Sequence, residues 1–187
     1  MKKSTIALIA VLGIVVILLI IGFSSYNSLV SAEENASEKL STVDVYMTRR
    51  ADLIPNLVST VKGYAAHETA IYTELANARA ALAGSTTAED KFAANEAMDS
   101  ALSRLLVVVE NYPDLKASEQ FTALQDQLEG SENRIATARN DYNQAVKAYN
   151  VKVRRFPGNI IASMFGFEKM PLYEAPESNE QVPSVEF

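Results

Sequence analysis

The residues of this chain that could perform metal chemistry lie around its single histidine, His67. His67 and Glu68 begin like the His-Glu-x-x-His helix motif of zinc proteases, in which two histidines one turn apart bind the metal. Ile71 stands where the second histidine is required, and the chain contains no other His and no Cys. We therefore expect no zinc site, and the lack of Cys also excludes disulfides, thiolate catalysis and iron–sulfur clusters.

Hydroxyl nucleophiles and acid–base pairs are equally poorly supported. A serine or threonine nucleophile needs an adjacent base, and the sequence has neither a Gly-x-Ser-x-Gly turn nor a Gly-rich phosphate loop. Adjacent carboxylates such as Glu33 and Glu34 point in different directions on a helix, which is poor geometry for shared acid–base work. Because the roles that an active site requires cannot be filled, the chain is predicted to be no enzyme and to need no cofactor.

Arg50 is the polar residue with the sharpest prediction. It lies at the start of residues 49–68, RRADLIPNLVSTVKGYAAHE, where polar residues stand among aliphatic ones. A charge on an apolar helix face is costly unless it is paired, so we expect an ion pair that fixes the register of packed helices, with ligand binding as the alternative. The candidate carboxylate partners are Asp52, Glu68, Glu129, Glu132 and Asp141.

Pro55 lies within the same stretch, flanked by Asp52 and Asn56. Proline removes the helical hydrogen bond to the carbonyl group of Ala51, which predicts a bend in the helix. We interpret this bend as a local kink that lets the helix enter a bundle, and a hinge that moves in function is the alternative.

A cluster of cations closes the second half of the chain, with Lys147, Lys152, Arg154 and Arg155 in nine residues that include no acid. At the end of a helix, these cations complement the negative end of the helix dipole, which is the simpler explanation. The alternative is a binding patch for anionic lipid or a cell-envelope polymer.

The charge of the whole chain excludes one class of partner. The formal net charge is −6: Lys2 and Lys3 contribute +2, the four glutamates after Met170 contribute −4, and the middle of the chain contributes the remaining −4. A chain without a general basic surface is not expected to bind nucleic acid. With 187 residues and 48% apolar content, the chain has room for one domain of ordinary size and short appendages.

Residues 5–23, TIALIAVLGIVVILLIIGF, contain no charge. As a helix they span roughly 28 Å, close to the thickness of a bilayer core, so we predict a transmembrane helix. A cleaved signal peptide is the alternative, but its apolar region is usually about 7 to 15 residues long. Lys2 and Lys3 precede the segment, whereas residues 24–38 contain three Glu and no Lys or Arg. The positive-inside rule predicts that residues 1–4 lie in the cytoplasm and that everything after Phe23 lies outside it.

Apolar residues in the remainder of the chain recur with helical spacing. Steps of three and four residues give a heptad seam over residues 26–82, interrupted at Glu33, Arg50 and Glu68, which predicts one long helix. A second helix is predicted from a capping box at Thr86 and Glu89 to the sequence YPD at residues 112–114. A third is predicted from residue 118 to residue 155.

These helices would be about 85, 40 and 57 Å long. We expect an all-α fold in which three long helices pack as an antiparallel bundle at residues 45–169, with an extended connection at residues 113–118 and a short C-terminal helix. The unequal lengths predict a helical stalk at residues 24–44. The apolar segment 159–167 is expected to cap the bundle far from the bilayer, and a docking patch for a partner or lipid is the alternative. Residues 170–187, rich in Pro and Glu, are predicted to be a disordered acidic tail.

Four long motifs in this order resemble the LemA family: YNSLV at residues 26–30, residues 49–68, residues 112–150, and RRFPGNIIASMFGF at residues 154–167. The resemblance implies a bacterial membrane protein with a helical bundle and no established enzymatic activity. It also implies relatives linked to membrane remodelling in magnetosome formation and genes near an HtpX-like membrane metalloprotease. The structural residues in these motifs are Arg49, Arg50, Asp52, Pro55, Asn56, Glu68, Tyr112, Pro113, Phe156 and Pro157.

The expected function is that of a scaffold or interaction module of the cell envelope. Small residues on the seams, such as Ala36, Ala101 and Ala138, permit close approach of helices within one chain or between copies, so we expect a homo-oligomer with coiled-coil character. An adaptor for a membrane metalloprotease, acting through residues 159–167, is the alternative. Enzymatic activity is the least supported of these three functional hypotheses.

Overall fold

The computed structural model describes residues 3–174, which form six α-helices. The predicted all-α fold is confirmed for this part of the chain. The helices are α1 (Lys3–Lys62), α2 (Thr69–Gly84), α3 (Ala88–Val109), α4 (Pro113–Lys116), α5 (Glu119–Arg154) and α6 (Gly158–Phe165).

The described residues divide into two compact units. The first, here called the anchor unit, comprises residues 3–41 and 140–172, and the second, the bundle unit, comprises residues 42–139 and 173–174. The long helices α1 and α5 each contribute to both units.

The anchor unit begins with the apolar part of α1. Large aliphatic side chains from Leu8 to Ile21 are 43–68% exposed, and α1 is long and apolar enough to cross a membrane. Further along α1, Leu29 and Ala32 are buried with Tyr149 of α5 and Ala162 of α6.

The stalk was predicted at residues 24–44, and its part within the anchor unit, residues 24–41, is packed against other helices instead of standing free. The ammonium group of Lys152 donates hydrogen bonds to Ser28, so the end of α5 runs beside the start of the predicted stalk and covers its apolar face. The position of residues 159–167 was also predicted wrongly. α6 packs near Gly22 and Tyr26, next to the apolar segment of α1, because α5 extends for 36 residues before α6 begins.

The bundle unit contains an extra helix that the sequence did not predict. α1 ends at Lys62, and α2 turns back along it: the Tyr72 hydroxyl donates to the Ala65 carbonyl and the Arg79 side chain to the Ala51 carbonyl. The predicted single helix over residues 26–82 is therefore wrong. A helical hairpin preserves the spacing of apolar residues, so the seam alone could not reveal the turn at residues 63–68.

Two smaller expectations also change. The N-cap of α3 is Thr87, whose hydroxyl accepts from the Asp90 amide, rather than Thr86. Residues 113–116 form the short helix α4 instead of an extended segment, because proline suits the first position of a helix. α1 continues through Pro55, and the predicted bend there stays a prediction.

The start of the predicted tail is packed. In the anchor unit, Asn150 exchanges hydrogen bonds with the backbone of Met170, and the Tyr142 hydroxyl donates to the Pro171 carbonyl. The prediction of disorder is therefore wrong for these residues, whose backbone groups find partners on α5. Residues 175–187 of the predicted tail lie outside the described residues.

Candidate functional site

Arg50 lies in the core of the bundle unit. It occupies a seam position of α1 between Met47 and Ile54, and only 2% of its surface is exposed. Because the neighbouring positions on this face are apolar, the guanidinium group cannot reach water along α1 and must be paired across helices.

The partners of Arg50 come from two other helices. Its guanidinium group lies 2.6 Å from the Asp99 carboxylate of α3 and donates a hydrogen bond to Glu132 of α5. It also donates to the side-chain oxygen of Asn95, at 2.5 Å, while the Asn95 amide nitrogen donates to Asp99 at 3.1 Å. Asn95 is fully buried, so this amide orients one carboxylate and the arginine together.

A second arginine completes the cluster. The Arg139 guanidinium lies 3.7 Å from both Asp99 and Glu132, so two cations face two carboxylates. It also stacks 4.2 Å from the centre of the Tyr173 ring, which in turn packs edge-to-face on Phe92. We call Arg50, Asn95, Asp99, Glu132 and Arg139 the arginine cluster.

The cluster connects three helices of the bundle unit through charged contacts. Each carboxylate lies between two arginines, which supply its ion-pair partners. Burial raises the pKa of the adjacent Tyr173 phenol, and Asp99, Glu96 and Glu132 raise it further, against the opposing effect of Arg139. The phenol therefore stays protonated at neutral pH.

A groove of about 310 Å³ adjoins the arginine cluster in the bundle unit. Its lining joins the charged groups of Arg50, Asp99 and Glu132 to an apolar wall. The apolar part is formed by Leu57, Leu102, Leu105, Leu106, Phe121 and Leu128.

The sequence identified part of this cluster. Of the five candidate carboxylates, Glu132 contacts Arg50, whereas Asp52 lies 3.7 Å from Arg79 instead. Asn95 and Asp99 were missed, although both flank the apolar face of α3 one turn apart, a spacing that could have indicated a shared polar contact.

The other motif residues lie elsewhere. Arg49, Asn56 and Phe156 are exposed, Glu68 precedes α2 without a side-chain cap, and Pro157 precedes α6. Tyr112 and Pro113 begin α4. In the predicted cation patch, Lys152 bonds to Ser28, whereas Lys147, Arg154 and Arg155 are exposed and line a cavity with Lys169.

Known proteins resemble this chain over most of its length. Magnetosome protein MamQ 2 of Paramagnetospirillum magneticum is 27% identical over 175 residues, which cover 80% of this chain and 64% of the relative. Magnetosome protein MamQ of Magnetospirillum gryphiswaldense is 25% identical over 174 residues, covering 79% and 64%. Protein LemA of Metamycoplasma hominis is 23% identical over 154 residues, covering 81% and 69%. The chain thus spans 64% of the length of the magnetosome relatives.

The sequence model of the LemA family matches residues 39–187. This match includes all of the arginine cluster and agrees with the resemblance carried by the motifs. The chain therefore belongs to the LemA family.

Proposed function

We propose that the chain is a non-enzymatic scaffold, anchored in the bacterial inner membrane by one helix, with its helical bundle outside the cytoplasm and associated with further copies of itself. One observation carries the anchoring: the aliphatic side chains of α1 from Leu8 to Phe23 are 43–69% exposed. A run of exposed apolar groups of this length is stable in lipid and not in water.

The orientation rests on the charges at the two ends of the apolar segment. Lys2 and Lys3 lie before it, and residues 24–38 carry Glu33, Glu34 and Glu38 with no cation. Positive residues are retained on the cytoplasmic side. Cysteine accessibility tests this point: a cysteine introduced at Ser31 should react with an impermeant maleimide in intact cells, and one at Ser4 only after lysis.

A role in binding rather than catalysis is supported by the arginine cluster. Its charged groups form ion pairs with one another, so these buried polar residues hold the helices of the bundle unit together. A membrane protein of this kind presents surfaces to partners, and α3 carries two adjacent apolar side chains, Leu106 and Val107, that are 43% and 69% exposed. Exposed apolar neighbours beside an apolar groove suit contact with a second helix.

Self-association is tested by photo-crosslinking in intact membranes. A benzophenone side chain at Val107 should trap a dimer of the full chain, and one at the exposed Arg134 of α5 serves as the control. Self-association would be ruled out if crosslinking from both positions trapped no dimer and the chain had the mass of a monomer after gentle detergent extraction.

An adaptor for a membrane metalloprotease is a second candidate. The observation that favours it is the exposure of Ile160, Met164 and Phe165 on α6, at 49–70%. This function predicts that the protease co-purifies with the chain and is lost when Ile160 and Met164 are both changed to Ser. If the protease still co-purified with this double variant, α6 would not be the surface that binds it.

A further inference from the structure

An apolar groove of about 470 Å³ lies in the anchor unit between α1 and α6. α1 contributes Val15, Leu18, Leu19, Gly22, Phe23 and Tyr26, and α6 contributes Ile161 and Phe165. The α1 residues up to Phe23 belong to the segment that α1 places in the bilayer. Side chains of α6 that line the same groove must therefore reach the depth of the lipid chains.

α6 has the character of a helix that lies in a membrane surface. Ala162 is buried, whereas Ile160, Met164 and Phe165 are 49–70% exposed. The ring of Tyr26 packs edge-to-face on Phe165 and Phe167, at 4.8 and 5.7 Å between ring centres. Aromatic rings collect at the boundary between lipid chains and headgroups, and a short amphipathic helix binds there with its apolar face in the lipid.

The cations of the anchor unit lie at the level expected for headgroups. Lys152 bonds to Ser28, and α5 runs antiparallel to α1, so Arg154 and Arg155 reach about the level of residues 24–26, within one turn of roughly 5 Å. That level follows directly after the apolar segment of α1, which ends at Phe23.

Four cations line one cavity of about 560 Å³ in the anchor unit: Lys147, Arg154, Arg155 and Lys169. Its lining contains no carboxylate, and within residues 3–174 none of the four forms an ion pair. Four exposed cations around one cavity whose lining includes no acidic residue favour an anion, and guanidinium groups bind phosphate with two parallel hydrogen bonds.

We propose that the anchor unit is a binding site for anionic phospholipid. α6 lies in the headgroup boundary of the bilayer leaflet in which the apolar segment of α1 ends at Phe23, with the lipid chains against the groove. Arg154 and Arg155, supported by Lys147 and Lys169, bind the headgroup phosphates. This inference rests on the anchoring of α1 in the membrane and is independent of self-association.

The depth of α6 can be measured because the chain contains no tryptophan. Met164→Trp introduces a single fluorophore on the exposed face of α6, in the full chain reconstituted in lipid nanodiscs. We expect its fluorescence to be quenched by lipids brominated near the headgroup. Val107→Trp is a matched control of similar exposure in the bundle unit and should not be quenched.

Leu19→Trp separates this inference from the anchoring on which it rests. If the indole at position 19 is quenched and the indole at position 164 is not, α1 is anchored and the lipid site on α6 is wrong. If neither is quenched, the anchoring fails as well.

Headgroup selectivity is measured with brominated phosphatidylglycerol and brominated phosphatidylcholine at equal mole fraction in mixed nanodiscs. The indole at position 164 should be quenched more strongly by the anionic lipid. Arg154→Gln with Arg155→Gln should reduce this preference about 25-fold, since each of the two cations near an anionic surface contributes about a factor of five. Arg49→Gln with Arg134→Gln removes the same charge from exposed positions of the bundle unit and should change nothing.

Two results would contradict the proposed binding site for anionic phospholipid even if α6 lies in the membrane. Equal quenching by the two lipids would show that the cations do not select headgroups. Loss of the preference on adding inorganic phosphate at constant ionic strength would assign the cations to a free anion instead of a lipid.

Discussion

The Arg50 guanidinium lies 2.6 Å from the Asp99 carboxylate, so a charged contact joins α1 to α3 inside the bundle unit. The same arginine also bonds to Glu132 of α5, and Arg139 lies 3.7 Å from both acids. Three helices thus meet at one buried cation, which restricts their register more than apolar contacts do.

Arg50→Met should destabilise the full chain by about 2–3 kcal/mol, because Asp99 and Glu132 lose their closest cation. This loss of stability is at the low end of the range for breaking a buried ion pair, because the side chains of Asp99 and Glu132 are 37% and 44% exposed and can regain contact with water. Chemical denaturation followed by circular dichroism in detergent measures it. Arg49→Met, an exposed neighbour, should change stability by less than about 0.5 kcal/mol. Equal stability of the two variants would refute the register role.

Tyr72→Phe tests the turn between α1 and α2. The Tyr72 hydroxyl donates to the carbonyl oxygen of the buried Ala65 at 2.8 Å, and the variant leaves that acceptor with only the backbone N–H of Glu68, at 3.2 Å. We expect a loss of about 0.5–1.5 kcal/mol in the free energy of unfolding, the net contribution of one hydrogen bond. Tyr64→Phe is the control, because Tyr64 is 47% exposed and its change should be close to neutral. A neutral Tyr72→Phe would mean that the bond does not hold the turn.

Gly158→Ala tests the connection between α5 and α6. A Cβ atom at this position would overlap the carbonyl oxygen of Lys152, a main-chain atom that cannot rotate away. We expect a loss of about 1–3 kcal/mol, seen as a lower melting temperature. Gly130→Ala is the opposite case: a Cβ atom there meets nothing within 4 Å, so the gain in helix propensity should stabilise α5 by about 1 kcal/mol. Effects of equal sign would contradict this assignment.

The stability of the anchor unit should fall in alkali through Tyr149. Burial, followed by the Glu33 carboxylate, raises the pKa of this phenol to about 12, above its ordinary value of 10.0. Below pH 10 both the folded and unfolded states keep the proton and stability is complete. Between pH 10 and 12 the unfolded state ionises first, so the free energy of unfolding decreases.

Tyr149→Phe removes this titration and should flatten the decline between pH 10 and 12 in melts followed by circular dichroism. Burial also raises the pKa values of Tyr72 and Tyr173, so part of the decline persists in the variant. The difference between wild type and variant isolates Tyr149. Parallel pH profiles would show that its ionisation is not linked to folding.

The burial pattern of the long helices could be predicted from the sequence because it follows helical periodicity. Seam positions from Leu29 to Val61, apart from Glu33 and the half-buried Leu40, are buried in α1, and so are Phe121, Ile135 and Tyr149 in α5. The seam pattern does not indicate the turn at residues 63–68, because Tyr64 and Glu68 keep the seam spacing even though the chain reverses direction there. Periodicity fixes which face is apolar and leaves open where the helix ends.

The sequence could not identify the partners of Arg50, because they are far from it along the chain. Arg50 and Glu132 are 82 positions apart, and Asn95 is 45 positions away from Arg50. A charge on the seam indicates that a partner exists, whereas several carboxylates fit by type. Asp99 gave no signal of its own, because a half-exposed acid on a helix flank resembles an ordinary surface residue.

The sequence by itself determined the apolar segment 5–23, the all-α class, the apolar seams and the need of Arg50 for a partner, because composition and periodicity act locally. The tertiary structure decided that α2 folds back on α1, that α6 packs beside Gly22 and Tyr26, and that Asp99 and Glu132 pair with Arg50. These features arise from burying apolar faces and desolvated charges against distant segments, and that free energy depends on how the helices pack together.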